Sequence, residues 1–358
     1  MTHKGIINLR LHSLQLAGNL PCSPSEALTH LGALQAQDYE GAKWSMAIRT
    51  KQNCPLSIEQ AIADRSIVRT WPMRGTLHFV ASDDVRWILK LLAPRIIPGM
   101  AGRNKQLELD QSIFHKSQDL LLRNMEGTKQ LLRSEVYYIL EKNGIATSNQ
   151  RGIHIINYLA LNQILCHGSH QEKQPTYALL DDWIPQSKEL STDEALSEIA
   201  LRYFTGHGPA TLQDFIWWTG LKTTDARLAL NSISQHLTSE DVEGSTYWFA
   251  PDLRDTTTLK STFLLPGFDE FMLGYTNRTL MVDKMHLPKI IPGNNGMFMP
   301  TVVIDGRVEA LWKREIKKHT VSIELYPFGK LSINKLKHID IAAKQYASYL
   351  GKELVVKK

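Results

Sequence analysis

The arrangement between Ser191 and Ala250 constrains this chain most. Ser191-Thr192-Asp193-Glu194 has the Ser-x-x-Glu form of a capping box, and ALSEIALRYF extends it with helical periodicity. Gly206-His207-Gly208-Pro209 breaks that helix. TLQDFIWWTGL then predicts a short helix ending at Gly220, and TTDARLALNSI a further helix after a brief turn. HLTSEDVEGSTYWFA supplies a polar turn around Gly244 and an aromatic strand, Tyr247-Trp248-Phe249. Three helices closed by a β-hairpin form the layout of a winged helix-turn-helix unit, in which one helix can enter a major groove.

The same order recurs twice upstream, without sequence identity. SPSEALTHLGALQA and SIEQAIADRS read as helices, and IVRTWPMRGTLHFV as two strands around Pro72-Met73-Arg74-Gly75. TKQLLRSEVYYILEKNG and NQRGIHIINYLALNQIL read as a second helix pair, followed by a Gly168-centred loop and the strand-like TYALL. After a linker at PDLRDTTTLKST the pattern alternates: FLLPGFDEFMLGY, FMPTVVIDGRVEALW and HTVSIELYPFG read as strands, with Asp305-Gly306 as a hairpin turn. NKLKHIDIAAKQYASYLG closes as an amphipathic helix. The expected fold is therefore α+β: three tandem winged helix-turn-helix units, at 1–110, 111–187 and 188–255, and a C-terminal β-rich basic region, 256–358, ending in a helix. In tandem, such units make a curved, C-shaped, duplex-sized DNA-binding scaffold the expectation.

At 358 residues the chain exceeds one compact core, and 43% apolar with 22% charged residues is ordinary globular composition. No run approaches the eighteen apolar residues of a membrane span, and the first ten residues lack the apolar core of a secretion signal. Three widely spaced cysteines, Cys22, Cys54 and Cys166, make no disulfide framework, so a cytoplasmic location is expected. Cys166-His167-Gly168-Ser169-His170 offers three ligands in what reads as a solvated loop; a structural zinc needs a fourth, and no metal or other cofactor is expected. The formal charge is +5, but twelve Lys or Arg against six Asp or Glu lie between Asp305 and Lys358, leaving the rest near neutral. That segment suits a polyanion, although solvated surface lysines give the same count.

One short stretch breaks the pattern. In ALQAQDYE the amides Gln35 and Gln37 flank Ala36 at the end of an otherwise helix-like apolar run. On a helix, residues two apart point to nearly opposite sides; in an extended strip they share a side and can hold one small molecule between them. Solvent-facing amides ending a helix are the alternative.

QAQD after the first long helix, RTWPMRGTLHFV, GPATLQDFIWWTGL, and LLPGFDEFMLGY with TVVIDGRVEALW together resemble, in order and over nearly the whole chain, the AlkZ-like winged-helix DNA glycosylase family of azinomycin-resistance and interstrand-crosslink glycosylases. The resemblance implies a concave, positively charged surface for duplex DNA. It also implies monofunctional hydrolysis of the N-glycosidic bond of N-alkylated, cationic purines, including crosslink unhooking. Gln35-Ala36-Gln37 matches the family's Gln-x-Gln branch, which implies that Gln35 and Gln37 are the catalytic residues.

For DNA contact the first hairpin offers Arg69, Arg74 and His78, with Arg74-Gly75 at its tip; an ion pair across the hairpin competes for Arg69. Lys313, Arg314, Lys317 and Lys318 form the densest basic run and are expected to track the backbone. Asp38 reads as a cap or turn residue. Asp269-Glu270 is a tempting acid pair, yet adjacent strand residues face opposite ways. Trp71, Trp217, Trp218 and Trp312 sit in apolar contexts that predict packing. The partner expected is duplex DNA, contacted mainly through its backbone by a monomer. A non-catalytic winged-helix DNA-binding protein or regulator is the competing reading.

Overall fold

Asp305-Gly306 takes the turn its chemistry dictates. Both residues have positive φ, 48° and 76°, as a two-residue Asp-Gly hairpin turn requires. Gly306 is needed on steric grounds too, since an added Cβ would run into Ile7. The computed structural model describes residues 1–51, 54–127, 129–256, 260–294 and 296–356. Of the expected linker, residues 257–259 lie outside the described residues.

The chain is α+β, as its two periodicities imply. Its strands are β1 (Leu34–Gln35), β2 (Ile67–Met73), β3 (Thr76–Ala81), β4 (Leu131–Leu132), β5 (Leu165–Gln171), β6 (Gln174–Leu179), β7 (Thr238–Val242), β8 (Ser245–Phe249), β9 (Thr262–Leu265), β10 (Thr301–Ile304), β11 (Arg307–Ile316), β12 (Thr320–Pro327) and β13 (Glu353–Val356). The first sheet runs β1-β3-β2-β5-β6-β4, antiparallel throughout. Two hairpins distant in sequence thus share one sheet, joined where Arg69 pairs with His167. A separate hairpin, β7–β8, accompanies the helices Thr192–His207, Leu212–Thr219 and Thr223–Ile233. The third sheet runs β13-β12-β11-β10-β9 with only β13 parallel to its neighbour. The closing helix, Ile333–Tyr349, packs on this sheet through Tyr346 against Trp312, and the same Tyr346 ring meets Trp44 of the Tyr39–Ala47 helix.

Capping chemistry places the helix starts. Ser23 with Glu26, and Ser191 with Glu194, each make the reciprocal bonds of a capping box ahead of Pro24–Leu31 and Thr192–His207. Most of the buried apolar side chains form one core, from Ile6 of the first helix to Tyr349 of the last; a smaller core gathers Trp71, Phe114, Leu140, Ile156 and Tyr177.

Three local expectations are corrected. The helix-like run into the glutamines stops at Leu31, because Gly32 turns the chain at φ 79°, and Leu34–Gln35 continues as strand. FLLPGFDEFMLGY is not one strand: β9 ends before Pro266-Gly267, and Asp269 then caps a short Glu270–Leu273 helix by accepting from Phe271 N. Cys166-His167-Gly168-Ser169-His170 belongs to β5, with Cys166 buried, and is not a solvated loop.

Candidate active site

The extended strip answers the question raised by two amides around one alanine. Gln35 pairs with His78 in the β1–β3 ladder, and Ala36 N donates to Leu77 O at 2.7 Å. Gln37 is exposed, whereas Gln35 keeps 6% of its surface. The backbone N–H of Gln37 donates to Gln35 Oε1 at 3.2 Å, and Leu77 N donates to Gln37 Oε1 at 3.4 Å. Each side-chain oxygen therefore accepts one backbone bond and, having two lone pairs, can accept another. The strip then turns at Asp38, whose Oδ1 accepts from Gly41 N to cap the Tyr39–Ala47 helix. That is the cap role expected of it.

Behind the strip lies a carboxylate with no exposed surface. Glu270 accepts from Trp218 Nε1 at 2.9 Å, from His207 Nε2 at 3.1 Å and, through its other oxygen, from Gln35 N at 3.4 Å. Burial pushes its carboxyl group upward, but the His207 bond and the positive charge of His207 and Arg74 outweigh that and hold it well below the usual range. Asp269 faces elsewhere, gripped at both oxygens by Arg49 at 2.8 and 2.9 Å and by Ser45 Oγ at 2.6 Å. The two acids do not share a site, although the reason is a helix cap rather than strand alternation. Sequence reasoning set Glu270 aside because it read the segment as a strand; its partners Trp218, His207 and Gln35 lie more than fifty residues away and leave no local signal.

The first-hairpin residues turn inward. Arg69, Arg74 and His78 were expected to contact DNA. Arg69 is 7% exposed, and both Nε and Nη2 donate to Ala36 O, at 3.1 and 2.8 Å. His78 is fully enclosed, with Nδ1 on Thr76 O at 2.9 Å; burial first, then the nearby Arg74 charge, lower its pKa to about 3. Arg74 does sit at the tip, at φ 53°, but its guanidinium turns inward to Trp218 O at 2.6 Å and His78 Nε2 at 3.3 Å. Arg69 and His78 are thus held by partners inside the protein, while Arg74 is only partly buried.

The basic run divides by strand alternation. Lys313, Lys317 and Lys318 are exposed, Lys313 above the Tyr326 ring and the other two at the β11–β12 turn. Arg314 faces the other way and is partly buried, reaching Tyr346 Oη at 2.9 Å and Asp38 Oδ2 at 3.4 Å. It ties the basic hairpin to the residue directly after Gln37. Trp71, Trp218 and Trp312 are buried as expected, but Trp217 keeps 40% of its surface, beneath the Arg278 guanidinium. Among the described residues no cluster of His, Cys, Asp or Glu is arranged to hold a metal ion, and no helix is long and apolar enough to cross a membrane.

A sequence model of the family described as "DNA glycosylase AlkZ-like" matches residues 28–349. The chain is 26% identical over 311 residues to an "Interstrand DNA cross-link repair glycosylase" of Streptomyces sahachiroi, a span covering 81% of this chain and 82% of that protein. Its fold is similar to the solved structure of Streptomyces sahachiroi DNA glycosylase AlkZ, with a TM-score of 0.82 and 22% identity over the full length of both chains.

Proposed function

Because the chain belongs to the AlkZ-like DNA glycosylase family, we propose that it hydrolyses the N-glycosidic bond of N-alkylated, cationic purines in duplex DNA, with the attacking water held by Gln35 and Gln37. The observation that carries this reading is the strip itself: an exposed Gln37 beside a fixed Gln35, both oxygens retaining acceptor capacity.

The substrate class explains why no carboxylate is needed at the reacting carbon. A purine alkylated at N7 is positively charged and leaves as a neutral base, so the bond is already weakened. Amide oxygens can accept hydrogen bonds from the water and present negative dipole ends to the oxocarbenium-like sugar. The water oxygen bonds to C1′, the alkylated base departs with the electron pair, and the proton goes to solvent. The scale is set by oxyanion holes, where removing one preorganised donor costs about 2.7–4 kcal/mol. Neutral purines, which are poor leaving groups, gain too little from amides to react.

Duplex binding in this reading falls to the exposed Lys313, Lys317 and Lys318, through phosphates and without strong sequence preference. The domain reading carried with it is the three-unit division at 110, 187 and 255. Interstrand crosslinks, the substrate named for the Streptomyces sahachiroi relative, are proposed here as a second substrate, since an N7-linked crosslink presents the same cationic leaving group.

The test uses duplexes containing one N7-methylguanine or one nitrogen-mustard crosslink, scored for alkali-labile abasic sites under single turnover. Gln37→Ala is expected to slow release on the order of 10²-fold. Wild-type rates from both Gln35→Ala and Gln37→Ala would remove the amide mechanism while leaving the glycosylase family untouched.

A further inference from the structure

We propose that Arg69 is a positioning residue for the Gln35–Gln37 strip: a buried two-donor grip on the Ala36 carbonyl that fixes the peptide plane from which both amides take their orientation. This rests on the reading of Gln35 and Gln37 given above.

The argument begins with one planar unit. Ala36 C=O and Gln37 N–H belong to the same peptide group, which rotates as a rigid plane. Its oxygen accepts from Arg69 Nε and Nη2, and its N–H donates to Gln35 Oε1. Holding the oxygen therefore sets the direction of the hydrogen that orients the Gln35 amide, and also of the Cα from which the Gln37 side chain leaves. The remaining backbone bonds brace this plane from the N-terminal side: Gln35 N to Glu270 and Ala36 N to Leu77 O.

Arg69 is unusual for what it lacks. It sits on β2, with β3 between it and β1, so its side chain crosses a whole strand to reach Ala36. No carboxylate lies at ion-pair distance from it among the described residues, and burial lowers its pKa to about 10. Its third nitrogen is 3.4 Å from His167 Nδ1. An enclosed guanidinium without a counter-ion is unfavourable unless its donors are used, and here two of them converge on one neutral oxygen inside the candidate site. Ala36 has no exposed surface, so without Arg69 that oxygen would be a buried acceptor with no water to replace the donor. Only a forked side chain supplies two convergent donors; lysine keeps the charge but offers a single nitrogen.

The experiment is a double-mutant cycle on the N7-methylguanine duplex, with duplex affinity measured in parallel and far-ultraviolet circular dichroism confirming the fold of each variant. Arg69→Lys should lower the single-turnover rate at saturating protein by roughly tenfold or more, as misplacement near reacting atoms does. Duplex Kd should stay within about twofold, and in a Gln35→Ala/Gln37→Ala background the same change should have little further effect. Arg69→Met, which removes charge and donors together, should be slower still. An unchanged saturating rate with weakened, less salt-sensitive binding would overturn the proposal in favour of a phosphate contact. A rate loss of equal size with and without the two glutamines would overturn it in favour of a general structural role. If neither glutamine matters to base release, the amide reading fails first and this inference falls with it; if the glutamines matter and Arg69 does not, only this inference falls.

Discussion

Glu270 shows how a single side chain can carry both stability and site geometry. It has no exposed surface, and its two oxygens are shared among Trp218, His207 and the backbone of Gln35. Its folded carboxyl is held below its unfolded value of 4.5. The contribution of the charged form is therefore complete above pH 4.5 and drains away as pH falls from there towards the folded value. Glu270→Gln keeps the shape and removes the charge, so its melting temperature should lie below wild type at pH 7, and that gap should narrow between pH 4.5 and 3. A gap independent of pH would show that the charge contributes nothing. At this scale the spacing of the two amides posed the question from sequence, since it has a distinct geometric meaning in extended backbone, but only the fold showed that the backbone there is extended. The inward turn of Arg69, Arg74 and His78 was not legible: an arginine near a hairpin tip has the same local sequence whether it reaches a phosphate or a buried carbonyl.

Among the elements, the β11–β12 hairpin presents its lysines outward. Lys317 N donates to Thr320 O at 2.8 Å to close the turn, and Lys352 Nζ reaches Lys318 O at 2.7 Å. The Lys317 and Lys318 side chains stay exposed. Replacing both by Glu should leave the melting temperature within a degree or so of wild type, since exposed substitutions away from packing have small effects. The same change should weaken duplex binding and reduce the slope of log K against log salt by about 0.9 for each phosphate that is no longer neutralised. An unchanged slope would assign these lysines to a solvated face. Caps and turns were the most legible elements, since Ser191 and Asp305-Gly306 carry their instructions within four residues. The segment after Leu265 misled because apolar alternation resembles a strand until Pro266-Gly267 ends it and Asp269 starts a helix.

Over the whole molecule, buried arginines join segments that the sequence keeps far apart. Arg49 donates to Leu14 O and Ser45 O and makes a two-toothed pair with Asp269, with essentially no exposed surface on either partner. Arg10 donates to Pro209 O and lies 3.6 Å over the Tyr275 ring. Removing one member of such a pair strands the other charge in the interior. Arg49→Ala should therefore lower unfolding free energy by about 3–5 kcal/mol, measured by urea titration of the full chain; a loss under about 1 kcal/mol would mean that Asp269 finds water or a new partner. The sequence by itself determined the α+β class, the Ser191 helix start and the hairpin turns at Arg74-Gly75, Gly244 and Asp305-Gly306, because each depends on local geometry and side chains a few residues apart; whether the Gln-Ala-Gln strip was helical or extended it left open. Only the tertiary structure decided that two hairpins share one sheet, that Glu270 meets Gln35, and that Arg69 holds Ala36. Those contacts join residues 33 to 235 positions apart, and burial, which no local pattern encodes, selected which charged groups face inward.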